Sequence, residues 1–200
     1  MIKYNSLKSA AIVALMAGSL NSAIASDKNH SLFIEAAMVD IDQEYGDTNF
    51  LGSDKGVLPG LGYAYKIELA HQYFIKPGLV VNFSDIEIKD TDGTSDSSKF
   101  SSMHSIYADF GKKLNNNFSA YATLGFTKAT LQRDEPSSSY SSSATDSGAT
   151  IGLGFTYHVH KNIDLDLKYQ TTDIAFRLKD DSTKFNTSID ALKLSAAYKF

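Results

Sequence analysis

If residue types and spacing carry chemistry in this chain, it sits at the histidines and the charged residues. His30-Ser31 and His104-Ser105 each set a base beside a hydroxyl, the two parts that acyl transfer needs. His158 and His160 stand two apart, which places both imidazoles on one face of a strand, as metal ligation requires. Asp90-Thr91-Asp92-Gly93-Thr94-Ser95-Asp96 begins like a calcium loop. A last group has mixed sign: Glu35, Lys66, Glu68, Lys76, Asp109, Asp164, Asp166, Lys168 and Lys193. These would have to pair if the fold gathered them where water is scarce.

The elements that carry these residues decide among the options. Neighbours in a strand point to opposite sides, so neither His-Ser pair can cooperate. His160 falls in a turn and reads as a solvated side chain, and no third ligand lies near His158. The acidic stretch lacks the closing Glu and the flanking helices of a calcium loop and reads as an acidic loop. Ser137 to Ser143 has the composition of a low-complexity surface loop. No catalytic residue, metal or cofactor is assigned.

The elements themselves follow from a period of two. Strands are expected at about Ser31–Ile41, Val57–Leu69, Tyr73–Ile88, Phe100–Lys112, Phe118–Leu131, Ala149–Val159, Ile163–Thr172 and Ser188–Phe200. In the second, Leu61, Tyr63, Tyr65, Ile67 and Leu69 share a parity against Gly60, Gly62, Ala64, Lys66 and Glu68. In the seventh, Ile163, Leu165, Leu167 and Tyr169 oppose Asp164, Asp166, Lys168 and Gln170. Connections alternate in length. Short ones lie at 70–72, 114–117 and 160–162, and long polar loops are expected at 42–56, 89–98, 133–147 and 178–186.

Lys3 and Lys8 precede an apolar run from Ala10 to Leu20 that ends in Ala23-Ile24-Ala25, the pattern of a cleaved secretory signal. The expected division is a signal peptide over 1–25 and one domain over 26–200. The chain has no cysteine, so an exported domain must be held by something other than disulfides. Its net charge of −4 argues against bulk nucleic-acid binding.

A narrow eight-stranded interior can hold the small and charged parity but not the bulky aromatic one. Lipid is therefore expected outside, with the inner charges paired. The fold class is all-β, an eight-stranded antiparallel transmembrane up-and-down β-barrel. Aromatic residues at the strand ends, among them Tyr73, Phe118, Tyr157, Tyr169 and Tyr198, fit interfacial girdles.

The last strand alternates through Leu192, Leu194, Ala196 and Tyr198 to a terminal Phe200, and resembles the β-signal read by the outer-membrane assembly machinery. Together with Gly60-Leu61-Gly62-Tyr63-Ala64-Tyr65 and Gly152-Leu153-Gly154-Phe155-Thr156-Tyr157, it makes the whole mature chain similar to small surface barrels of the opacity-protein, OmpX and OmpA-barrel class, a "porin family" by label. That resemblance implies a Gram-negative outer membrane, an assembly signal at Leu194, Tyr198 and Phe200, and lipid and lipopolysaccharide as surroundings. It further implies a structural, adhesive or host-interaction role through extracellular loops. A narrow ion or small-solute channel is the alternative. An enzyme is not expected: lipid A deacylases place a Ser two residues after a lipid-facing His, and here Ile106 follows Ser105. His104 and Lys128 lie on the lipid parity near the outer edge of the apolar band. Counted from a turn near Asn115 they are diagonal neighbours, placed to share a lipopolysaccharide phosphate.

Overall fold

The structure, a computed structural model, describes residues 29–45, 49–89, 97–135, 140–177 and 184–200. The expected signal segment, the acidic stretch 90–96 and part of the serine-rich stretch lie outside the described residues. Strands follow in the order β1 (His30–Tyr45), β2 (Asn49–Tyr65), β3 (Ile67–Glu68), β4 (Tyr73–Lys89), β5 (Ser97–Lys113), β6 (Phe118–Glu135), β7 (Tyr140–His160), β8 (Ile163–Arg177) and β9 (Lys184–Lys199). β3 continues β2 past Lys66, so these make eight staves. All pairings are antiparallel between neighbours in the chain, and β1 closes the barrel on β9. No helix among the described residues is long and apolar enough to cross a membrane.

The first and last described residues, Asn29 and Phe200, lie at the end of the tight turns. Between β5 and β6 the Asn115 carboxamide oxygen accepts the N–H groups of Asn117 and Phe118 at 2.8 and 2.9 Å, a local cap that fixes the turn. A 3-10 turn at Ala70–Gln72 joins β3 to β4, with His71 and Gln72 at φ 59° and 67°. The left-handed pair reverses the chain so that the Leu69 N–H reaches the Tyr73 carbonyl at 2.8 Å.

In the turn-end part of the barrel the apolar parity faces out. Leu153, Ile106, Phe126, Leu124 and Leu194 are among the most exposed side chains, Leu153 at 66 %. Unbroken apolar exposure around a barrel is stable only where the surrounding solvent is itself apolar.

The other end follows the opposite rule. Along β1 the outward row runs Leu32, Ile34, Ala36, Met38 and then Asp40, Asp42, Glu44, while the inward row passes from Glu35 to Ala37, Val39, Ile41 and Gln43. On β9 Asp190, Ser188 and Asn186 face out against buried Ile189 and Phe185. The inner residues of this half form a dry cluster that includes Ile41, Leu58, Phe100, Leu131, Ile174, Phe176 and Ile189. Polarity thus inverts across one level of the barrel.

Two sequence expectations need correction here. The loops expected at 42–56 and 133–147 are largely strand: β1 runs to Tyr45 and β2 starts at Asn49, and β6 runs to Glu135 and β7 starts at Tyr140; most of 89–98 and 178–186 lies outside the described residues. Alternation persists there, but with the opposite face apolar, so a reading that follows one face stops at the inversion. The register between β5 and β6 also differs. Lys113 faces Ser119 and His104 faces Lys128 directly, because the turn centres on Asn116 rather than Asn115.

Candidate functional site

Among the described residues the lumen gathers the buried polar chemistry, and it does so in tiers. The lowest lies at the turn-end mouth. There the Lys66 ammonium bonds Glu68 at 3.1 Å and sits 5.0 Å from the Phe74 ring centre. Glu68 is mostly exposed, and its carboxyl is held below the usual range, first by the hydrogen bond from Lys66. Asp164 belongs to a separate group, bonded to Lys199 and His158 at 2.8 Å each. Lys66, Glu68 and Asp164 therefore stand apart from the deeper charges, contrary to the expectation of a single network, because their places beside the turns leave them at the rim.

The middle tier is the ionic one. Asp109, fully buried, takes the Lys168 ammonium at 3.0 Å on one oxygen and the Lys76 ammonium at 3.2 Å on the other. Lys76 also reaches Asp166 at 3.3 Å, so carboxylates and ammoniums alternate through Lys168, Asp109, Lys76 and Asp166. The Thr123 and Thr156 hydroxyls donate to Asp109 and Asp166 at 2.7 and 2.9 Å, and Tyr121 donates its hydroxyl to Asp166. Beside this group Lys193 pairs with Glu35 at 2.9 Å, and Asn82 donates to the same carboxylate at 3.0 Å. Asp109 Oδ2 has the Lys76 ammonium as its ion-pair partner but no hydrogen bond among the described residues, so the pairings offset part of the desolvation cost of these buried ions rather than all of it. A cavity of about 30 Å³ between the two groups has room for about one water molecule.

Two glycines make the tier possible. A methyl at Gly154 would collide with the Tyr121 ring, and one at Gly78 with the Tyr107 ring. Their absence lets both rings lie across the lumen, where the Lys168 ammonium stands 4.1 Å from the Tyr107 centroid and Lys76 4.9 Å from that of Tyr121. Both tyrosines share the inner faces of β5 and β6 with the polar residues, though nothing in the spacing along either strand joins them to the ions. The signal was a glycine facing the tyrosine across each pair of strands: Gly78 opposite Tyr107, and Gly154 opposite Tyr121.

Above the ions runs a hydroxyl belt. Ser105, Thr127, Thr150 and Thr172 link in series at 2.8, 2.8 and 2.7 Å, all buried. The apolar cluster fills the lumen beyond it. Gln43 and Thr187, opposite each other on β1 and β9, are buried there with their side-chain polar atoms unpartnered among the described residues.

The histidines divide by face. His104 points outward, beside Lys128 and away from the inward Ser105. His158 points inward: its Nδ1 meets Asp164 at 2.8 Å and its Nε2 meets the Ser119 hydroxyl at 2.9 Å. This connectivity is that of an acyl-transfer triad assembled across three strands, which no spacing within one strand could reveal. Ser119 is only 1 % exposed, however, and a nucleophile sealed in the wall cannot meet an acyl carbon. His160 lies at the exposed turn. Among the described residues no group of three or more ligand-type side chains could hold a metal.

At the seam the Phe200 N–H donates to the His30 carbonyl at 3.0 Å, and the two rings stack at 5.9 Å. Leu194 is exposed on the outer face, and Tyr198 and Phe200 are half-buried.

A family model described as outer membrane protein beta-barrel domain matches residues 10–200. Ail, the attachment invasion locus protein of Yersinia pestis, is 16 % identical with a TM-score of 0.54, over 86 % of this chain and 99 % of that one. Neisserial surface protein A is 17 % identical with a TM-score of 0.57, over 84 % and 97 %. OprG of Pseudomonas aeruginosa is 16 % identical with a TM-score of 0.50, over 89 % and 99 %. No curated relative matches by sequence. At these identities the likeness is one of fold.

Proposed function

This chain belongs to the outer membrane protein beta-barrel domain family, and from that premise we propose that it is a non-conducting surface protein of a Gram-negative outer membrane, meeting extracellular partners through its strand-extended hairpins. In this reading a signal peptide over 1–25 is removed on export. The tight turns and both chain ends face the periplasm, and the hairpin end faces outward, as in bacterial outer-membrane barrels generally.

The inversion of polarity carries the proposal. Polar residues outside and apolar residues inside are the arrangement for a part of the barrel that stands in water. Rigid paired strands held clear of the lipid make a better recognition surface than mobile loops, because less ordering entropy is lost on binding. The ion tier and the apolar tier below and within that projection favour a filled lumen over the alternative of a narrow channel. Planar-bilayer recording tests the point: no conductance steps are expected, and steady steps at physiological salt would restore the channel.

Charge narrows the partner. The stretches 40–55, 85–99, 128–146 and 173–190 each carry more acids than bases. Ail has been seen with the heparin analogue sucrose octasulfate; the acidic projection here favours a basic protein surface over a polyanion. Binding to cells should fall when the residues between Tyr45 and Asn49 and those between Arg177 and Lys184 are replaced by short Gly-Ser turns. Binding that survives both replacements would remove the adhesive role.

His104 and Lys128 are proposed to hold one lipopolysaccharide phosphate. They are directly opposed, with both side chains exposed at the upper edge of the apolar band. The double variant His104→Gln, Lys128→Gln should lose thermal stability in lipopolysaccharide but not in phosphate-free detergent. Leu194, Tyr198 and Phe200 are proposed as the assembly signal, so deleting Phe200 should lower outer-membrane levels.

A further inference from the structure

The outer face carries a feature that a uniform lipid belt does not require. An open groove of about 630 Å³ runs over β4 to β7, lined by Tyr73, Ile75, Phe110, Ala120, Leu153 and Phe155, with Lys112 at its side. Register explains its form. Two outward rows cross the sheet here, Tyr73–Lys112–Ala120–Phe155 and Ile75–Phe110–Ala122–Leu153. Ala120 lines the floor, Ala122, exposed outward between Phe110 and Leu153, continues its line along β6, and the side chains of β5 and β7 make the walls. Those strands lie two sheet spacings apart, about 9–10 Å, which leaves the width of one hydrocarbon chain between Phe110 and Leu153. Leu124, next outward on β6 and 56 % exposed, closes the groove roughly 13 Å above Ala120 at ~3.3 Å per residue.

The open end is marked by charge. Lys112 is exposed on the outer face at the level of the aromatic ring formed by Tyr73, Phe118 and Tyr157. Its ammonium stands 5.1 Å from the Tyr73 ring centre, and the side chains flanking it in its outward row, Tyr73 and Ala120, carry no charge. A slot for one acyl chain, blind at mid-membrane and ending at headgroup level at a cation with no carboxylate partner among the described residues, is complementary to a single anionic lipid.

We propose that this groove retains one anionic phospholipid from the leaflet at the turn end, with an acyl chain over Ala120 and Ala122 and its phosphate at Lys112. The inference needs only that the barrel sits in lipid, and holds whether or not the hairpins bind a partner.

Native mass spectrometry of the folded barrel, released from vesicles of phosphatidylglycerol and phosphatidylcholine with matched chains, tests it. One retained phosphatidylglycerol per barrel is expected, favoured about five-fold over phosphatidylcholine, the contribution of one lysine near an anionic headgroup. Lys112→Gln should bring the preference to parity while a lipid is still retained. Ala122→Phe should abolish retention of either lipid. Heat-modifiable gel mobility confirms that each variant is folded, and Ala120→Leu replaces Ala122→Phe if the latter is not. Preference unchanged in Lys112→Gln, retention unchanged in the filled groove, or no lipid retained by the wild type would each overturn the proposal. So would displacement of the phospholipid by lipid A added to the same vesicles, which would make the site one for the opposite leaflet's lipid.

Discussion

The two halves of this barrel solve one packing problem with opposite chemistry. Below the belt of Ser105, Thr127, Thr150 and Thr172, the wall is apolar outside and the lumen holds ions. Above it the wall is polar outside and the lumen is filled by Phe100, Phe176, Ile41 and their neighbours. Strand direction is continuous through both, and so are pairing and parity except at bulges between Phe83 and Ile86 and between Phe100 and Ser102, where the inward set of β5 passes from Met103 to Phe100. What changes is the solvent beyond the wall, and the inner face changes with it. A narrow barrel in lipid can place its polar residues nowhere but inside, whereas one in water has the hydrophobic effect to fill its centre.

The comparison breaks most severely at the ions. Asp109→Leu leaves Lys76 and Lys168 buried beside each other without their shared carboxylate, and should cost about 3–5 kcal/mol in urea unfolding from vesicles. A loss below 1 kcal/mol would mean that water reaches this tier. On the outer wall, Leu153→Arg should cost about 2–4 kcal/mol, while Thr145→Arg, outward on the same strand above the belt, should stay within about 0.5 kcal/mol. Equal effects at the two positions would abolish the inversion. In the upper lumen, Ile189→Val should cost about 0.5–1.5 kcal/mol, as in a water-soluble core. The smallest effect lies at the rim. The Glu68 carboxyl titrates low in the folded state, so its pairing with Lys66 contributes above the ordinary glutamate range and is lost as pH falls through the folded value. Because Glu68 is mostly exposed, Glu68→Gln should change the urea midpoint at pH 7 by the equivalent of at most about 0.5 kcal/mol, and by progressively less as pH falls through the folded value.

The lower half was legible in the sequence because its two parities differ in kind at every step, as in Leu165 and Leu167 against Asp166 and Lys168. The facing of Leu124, Leu153, Leu167 and Leu194 follows from that contrast, and all are exposed outward. The upper half was not legible, because a reading that tracks one apolar face loses it at Met38 and Asp40, where the apolar set crosses to the other parity. Contacts between strands were legible only as far as register was. One residue in the centre of the turn at Asn116 moved His104 from diagonal to direct opposition with Lys128. The Ser119–His158–Asp164 chain and the glycines that face Tyr107 and Tyr121 can be read only once such registers are known.

The seam at His30 and Phe200 has a further consequence. Phe200 is bonded to His30, so β1 and β9, the first and last described staves, meet where the ring closes. Joining the ends through a short linker and cutting one hairpin instead should give a circularly permuted protein with the same ladders. Such a permutant would show whether the closing stave owes its place to the geometry of the ring or to its position in the order of the strands.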